Sequence, residues 1–135
     1  MKFGEKVRQL RKEKGLTQAQ LADLAGLGLR TVISYEKGES YPKKRSVYDD
    51  LATIFGVDVN YLRTEDEEFL TIAAERYGAS GQRGAQDALE QAKVAFAGGE
   101  LSEDDRVAFM LEIQKLYLES KEIAREKFSS SRKKV

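Results

Sequence analysis

The stretch "TQAQLADLAGLGLRTVISYEKG", residues 17–38, constrains this chain more than any other. Thr17 is a strong helix N-cap, and Gln20, three residues on, completes a capping box. Leu21, Ala22, Leu24 and Ala25 supply a packing face, and Gly26-Leu27-Gly28 then breaks the helical rhythm with a tight turn. A second helical period runs from Leu29 to Lys37 and stops at Gly38, where a left-handed residue costs least. Its inward side is Val32 and Ile33 with either Tyr35 or Glu36. Two short helices joined by a turn of three to four residues make a helix-turn-helix layout. Leu29, Arg30 and Ser34 are left facing outward together, whereas a merely wet helix face would show Lys and Glu.

The flanking segments fit the same layout. Phe3, Val7 and Leu10 recur at helical spacing, which predicts a helix over 2–14 ended by Gly15. "ESYPKKR" reads as a loop. Ser46 is expected to cap a fourth helix, "VYDDLATIFG", which ends at Gly56. Asp58 caps a short fifth helix in "VDVNYLR". The expected fold class is all-α, with a five-helix domain over 1–64 followed by a helical extension. Near absence of Pro and one-third charged residues agree with it.

Composition also removes whole classes of function. The chain has no Cys and no His, so it lacks a thiolate, the usual neutral-pH base and the commonest metal ligand. No metal, no cofactor and no enzymatic activity are expected. Ser120 stands beside Lys121, but adjacent residues on a helix do not face each other, and a helical second half has no room for a β-rich peptidase domain. Asp104 and Asp105 are better read as first-turn charges than as an acid–base pair. No apolar run approaches the ~20 residues of a membrane span, and no signal-peptide pattern opens the chain, so a cytoplasmic location and no membrane partner are expected. Net charge is zero, which alone argues against a nucleic-acid partner. Its distribution argues the other way: residues 1–63 hold 12 Lys and Arg against 8 Asp and Glu, and residues 64–135 hold 11 against 15.

In the second half, "EDEEFLTIAAERYG" predicts a helix with acids in its first turn. "ASGQRG" reads as a break, and "AQDALEQAKVAFAGG" as an Ala-rich helix. From Ser102, an N-cap, a helix of about 25 residues is expected. Residues 65–128 thus form the expected extension, and "SSSRKKV", 129–135, a disordered basic tail. Val107, Met110, Ile113 and Tyr117 lie on a face wider than one partner helix covers. One reading makes them a homodimer interface; the other has the helices at 65–78 and 85–97 cover them within one chain.

In a helix-turn-helix the second helix enters the major groove of duplex DNA, and its N-terminal residues meet base edges. Arg30 can pair bidentately with guanine, Leu29 can press on a thymine methyl, and Ser34 can bond several edges. Leu29 has a second reading, packing against the preceding helix.

With those residues in place, 5–63 resemble the Xre/Cro-type DNA-binding domain of phage lambda-like repressors. Thr17-Gln18, Leu21-Ala22, Gly26, Val32, Glu36, Gly38 and Pro42 carry the likeness, followed by "LATIFGVDVNYL". The resemblance implies that Gly28, Leu29, Arg30, Thr31 and Ser34 read bases. It implies that Thr17, Gln18, Lys37, Tyr41, Lys43, Lys44 and Arg45 hold phosphates, although the last three also read as a solvated loop. It makes Arg11 and Glu36 a salt bridge between the first and third helices. Gly28 departs from the family by replacing the usual Ser or Thr cap, and Leu29 replaces a frequent polar reader. The function implied is a sequence-specific transcriptional regulator, a repressor that binds a two-fold operator as a dimer. "FAGGELSEDDRVAFMLEIQKLYLESKEIAREKF" resembles the C-terminal extension of repressors from Gram-positive mobile elements, which implies a regulatory metalloprotease partner. The competing reading is an antitoxin or adaptor whose C-terminal helices hold another protein.

Overall fold

A computed structural model describes residues 1–99 and 101–133, with side chains as far as Phe128. Among these residues there are seven helices and no strand: α1 Phe3–Glu13, α2 Gln18–Ala25, α3 Leu29–Lys37, α4 Arg45–Phe55, α5 Val59–Leu62, α6 Glu65–Ala95 and α7 Glu103–Lys133. The chain divides into two compact units, Met1–Thr71 and Ile72–Val135. No helix of the described residues is long and apolar enough to cross a membrane.

Local chemistry accounts for most boundaries of the first unit. Thr17 Oγ1 accepts the Gln20 amide at 3.1 Å, and Gln20 Oε1 accepts the Thr17 amide at 2.8 Å, so both halves of the capping box form. Gly26 closes α2 at φ 66°, a left-handed conformation that costs glycine little. Asp58 caps α5 through the Asn60 amide at 2.7 Å. The start of α4 differs from the expectation for Ser46. Its N-cap is Lys44, with no side-chain cap bond. The inward stripe is Tyr48, Leu51, Ala52 and Phe55, and the first helical residue, Arg45, lies 2.7 Å from a Glu68 carboxylate oxygen.

The core of this unit gathers one apolar face from each of five helices: Phe3 and Val7, Leu21 and Ala22, Val32 and Tyr35, Tyr48 and Leu51, and Leu62. Phe3 sits between three rings, with centroids 5.8 Å from Tyr35, 5.9 Å from Tyr41 and 5.3 Å from Tyr48. Each large side chain so buried contributes about 1.5–3 kcal/mol. The unit runs seven residues beyond the expected boundary at 64. Phe69, Leu70 and Thr71 are buried, and Glu68 is ion-paired to Arg45 and Arg63.

The second unit shows two differences from the sequence reading. "ASGQRG" is helical. The helical path is interrupted at Gly78 alone (φ 72°, ψ −163°) and resumes at once. Gly81 and Gly84 serve packing: the Tyr117 hydroxyl donates to the Gly81 carbonyl at 2.6 Å, and a Cβ at Gly84 would strike that hydroxyl. The second difference is at the end of the chain. α7 is helical to Lys133, into the segment expected as a disordered tail, because neither Gly nor Pro stops it. The rest of that segment, 134–135, lies outside the described residues. Ser102 caps α7 as expected, accepting the Asp105 amide at 3.2 Å. Of the four residues proposed for a dimer interface, Val107 is exposed, and Met110, Ile113 and Tyr117 are half-buried. Tyr117 spends its hydroxyl within the chain.

Candidate nucleic-acid interface

Packing fixes which side of α3 is free. Val32, Tyr35 and Glu36 are buried and Ile33 is half-buried, while Gly28, Leu29 and Arg30 are exposed and Thr31 and Ser34 half-exposed. Leu29 keeps 46% of its surface open. The free side of α3 and the loop after it enclose a shallow concavity of about 380 Å³, lined by Arg30, Thr31, Ser34, Ser40, Tyr41, Lys43 and Lys44. Six residues of the two expected DNA-contacting sets, Arg30, Thr31, Ser34, Tyr41, Lys43 and Lys44, thus meet on one surface. The Ser34 and Ser40 hydroxyls are 2.6 Å apart, which ties the loop to α3 and engages Ser34. Tyr35 forms part of the wall. Burial pushes its hydroxyl up to about 12, so it stays neutral.

Other expected contacts lie elsewhere. Arg45 is turned to Glu68. Lys37 is exposed at the end of α3 and does not line the concavity. The Thr17 hydroxyl caps α2. Gln18 Nε2 donates to Glu36 Oε1 at 3.2 Å.

Glu36 is the centre that orients these elements. Its side chain is fully buried. Arg11 Nε donates to Oε2 at 2.7 Å and Arg11 Nη2 to Oε1 at 3.0 Å, a bidentate pair. Arg8 Nε adds a third bond at 3.4 Å, and Arg11 Nη1 donates to the Leu16 carbonyl at 2.9 Å. Burial works against ionisation of Glu36, but the bonds from Arg11 and Gln18 and the charge of Arg11 outweigh it and hold the carboxyl below its ordinary range. The bond from Glu36 raises Arg11 in turn. One carboxylate therefore joins α1, α2 and α3. The expected Arg11–Glu36 pair is present. Arg8 was missed, although it lies three residues from Arg11 on the same helix face. Gly4 was also missed: a Cβ there would collide with the Tyr35 carbonyl oxygen and come within 3.0 Å of the Glu36 carbonyl oxygen.

Gly28 is the N-cap of α3, at φ −74° and ψ 152°, with no side-chain cap bond. Any residue can adopt that conformation, and an added Cβ would meet only Thr31 Oγ1 at 3.8 Å. Gly28→Ser is therefore expected to stabilise the domain by about 0.5–1 kcal/mol, through the cap bond and the lost freedom of glycine in the unfolded chain. Urea titration checks this, and an unchanged or lower midpoint contradicts it.

Residues 7–62 match the family model described as Helix-turn-helix. The chain is 38% identical over 65 residues to the cryptic phage CTXphi transcriptional repressor RstR of Vibrio cholerae, covering 48% of this chain and 58% of that protein. It is 36% identical over 73 residues to the HTH-type transcriptional activator BcrR of Enterococcus faecalis, covering 54% of this chain and 35% of that protein. The chain thus spans less than two thirds of the length of either relative. No solved structure matches it. With the turn Gly26-Leu27-Gly28 between α2 and α3, and with α3 packed on one side and open on the other, residues 7–62 of this chain are a helix-turn-helix domain.

Proposed function

We propose that this chain is a sequence-specific DNA-binding transcriptional regulator, a repressor whose two copies occupy a two-fold operator. The observation that carries the reading is the shared surface of Arg30, Thr31 and Ser34 with Tyr41, Lys43 and Lys44. Groups suited to base edges sit beside groups suited to phosphates, on the open side of a helix whose back is packed. Phosphate contacts set register, and base contacts select sequence. Repression is favoured over activation by the phage repressor, which is matched over the larger share of its own length. Two copies follow from the small reading surface of one domain, since helix-turn-helix modules of this kind read half-sites about one DNA turn apart.

Selection of bound duplexes from a random pool tests the reading. A two-fold repeat with half-sites about 10 base pairs apart, centre to centre, is expected; absence of any enriched sequence would sink it, and a lone half-site would remove the dimer. Arg30→Ala is expected to weaken operator binding by about 1–3 kcal/mol and relax one base position. Lys44→Ala is expected to weaken all duplexes alike and to shallow the salt dependence by about one unit. Fluorescence anisotropy against operator and scrambled DNA separates the two effects.

A further inference from the structure

α7 carries an apolar stripe that its own unit leaves open. Phe109, Leu116 and Ile123 follow at intervals of seven, and each keeps about half of its surface exposed (47%, 51% and 54%). Phe109 also makes an edge-on contact with Phe96 at 4.8 Å between centroids. Residues seven apart lie along one line of a helix, so the three form a single apolar ridge against which another helix can pack. Three rows of the same helix point elsewhere. Met110, Ile113 and Tyr117 are the half-buried row, with Tyr117 held by Gly81. Val107 and Leu111 are exposed apolar residues on a different flank. Asp105, Glu112, Glu119 and Glu126, again at intervals of seven, run along the open margin of the stripe, and all four are exposed.

The two margins decide what can lie there. On a helix the acids stand four residues before or three after the apolar positions, where the edge charges of a coiled coil choose the partner. A second copy laid antiparallel would set one acidic row against the other, which is repulsive. A second copy laid parallel would bring its acidic row to the Met110 and Tyr117 margin, where Tyr117 already packs on Gly81 and Gly84. A helix with an apolar seam and Lys or Arg along its edge meets neither obstacle. It covers the stripe and answers each acid with an opposite charge.

We propose that the Phe109–Leu116–Ile123 stripe and its acidic margin form a docking surface for a basic amphipathic helix of a partner protein. This site is separate from the DNA surface, so its failure leaves the reading of α3 untouched. The test uses the full chain and two synthetic helical peptides of about four heptads with the same Leu/Ile seam, one edged with Lys and the other with Glu. Fluorescence anisotropy should show binding of the Lys-edged peptide alone, weakening as salt rises. Glu112→Lys with Glu119→Lys should weaken it about tenfold, since each reversal removes an attraction and adds a repulsion. Leu116→Asp should abolish it while operator affinity stays at the wild-type value. Equal binding of both peptides, or binding of neither, overturns the proposal. So does a free chain that sediments as a dimer and becomes a monomer on Leu116→Asp, because the stripe then belongs to a second copy.

Discussion

Glu36→Gln is expected to lower the stability of the helix-turn-helix unit by about 3–5 kcal/mol at neutral pH, the range for breaking a buried ion pair from one side. The substitution preserves shape and removes the counter-charge of Arg11, whose side chain is only 12% exposed. It also weakens the bonds from Arg8 and Gln18 to the same carboxylate. The cost is one of desolvation: a guanidinium taken out of water keeps its penalty and loses its compensation. Arg11→Met with Glu36→Leu should therefore recover most of the loss, since both charges go together. Urea unfolding of the two variants checks this, and equal damage in both would show that packing rather than charge holds the three helices.

The same residue sets the acid limb of stability. Its folded carboxyl titrates below its ordinary value of 4.5. For such a group the stabilisation is fully present above the unfolded value and is lost as pH falls through the folded one. The gap between wild type and Glu36→Gln is thus expected to hold from neutral pH down to about 4.5 and to narrow below it. With no histidine in the chain, no imidazole contributes a transition near pH 6–7. A gap that stays constant through the acid range would show that Glu36 ionisation is not what α1 and α3 share.

Gly4→Ala is the second large effect, expected to cost about 2–3 kcal/mol, toward the upper end for overpacking. Alanine usually improves a helix by up to about 1 kcal/mol over glycine, so the sign itself is diagnostic. The atoms in the way are the Tyr35 and Glu36 carbonyl oxygens. They are main chain of α3 and cannot swing aside like the tip of a flexible side chain. α1 would have to back away from α3, stretching the Arg11 and Arg8 bonds to Glu36. Gly28→Ala is the control, because its added Cβ finds only ordinary contact. Thermal unfolding of the two variants separates close approach from backbone freedom, and a stabilised Gly4→Ala would refute the packing account.

Residues 1–64 were largely legible because their boundaries rest on local chemistry. Thr17 with Gln20, Gly26, Gly38 and Asp58 act within a turn of themselves, and a linear reading sees them. Ser46 misled for the same reason: a good cap residue was present, but the helix starts two positions earlier, where Arg45 pairs with Glu68. So paired, Arg45 does not line the concavity beside α3. "ASGQRG" misled in the opposite direction. Two glycines that look like a breaker are tolerated in a helix when side chains occupy the space they leave, Tyr77 at Gly81 and Tyr117 at Gly84. Gly4 gave no local signal, since the atoms that require it are more than thirty residues away.

By itself the sequence determined that two short helices with a glycine turn stand at residues 17–38, and that Val32 faces inward and Arg30 outward. Periodicity, caps and composition act over a few residues and need no fold to be read. Only the tertiary structure decided that Glu36 gathers Arg11, Arg8 and Gln18, that Gly4 lets α1 approach α3, that the loop at 40–44 closes onto Arg30 and Ser34, and that Tyr117 is held within the chain. Those are pairings between distant segments, and which distant groups share a buried space is settled by packing, not by the order in which they are written.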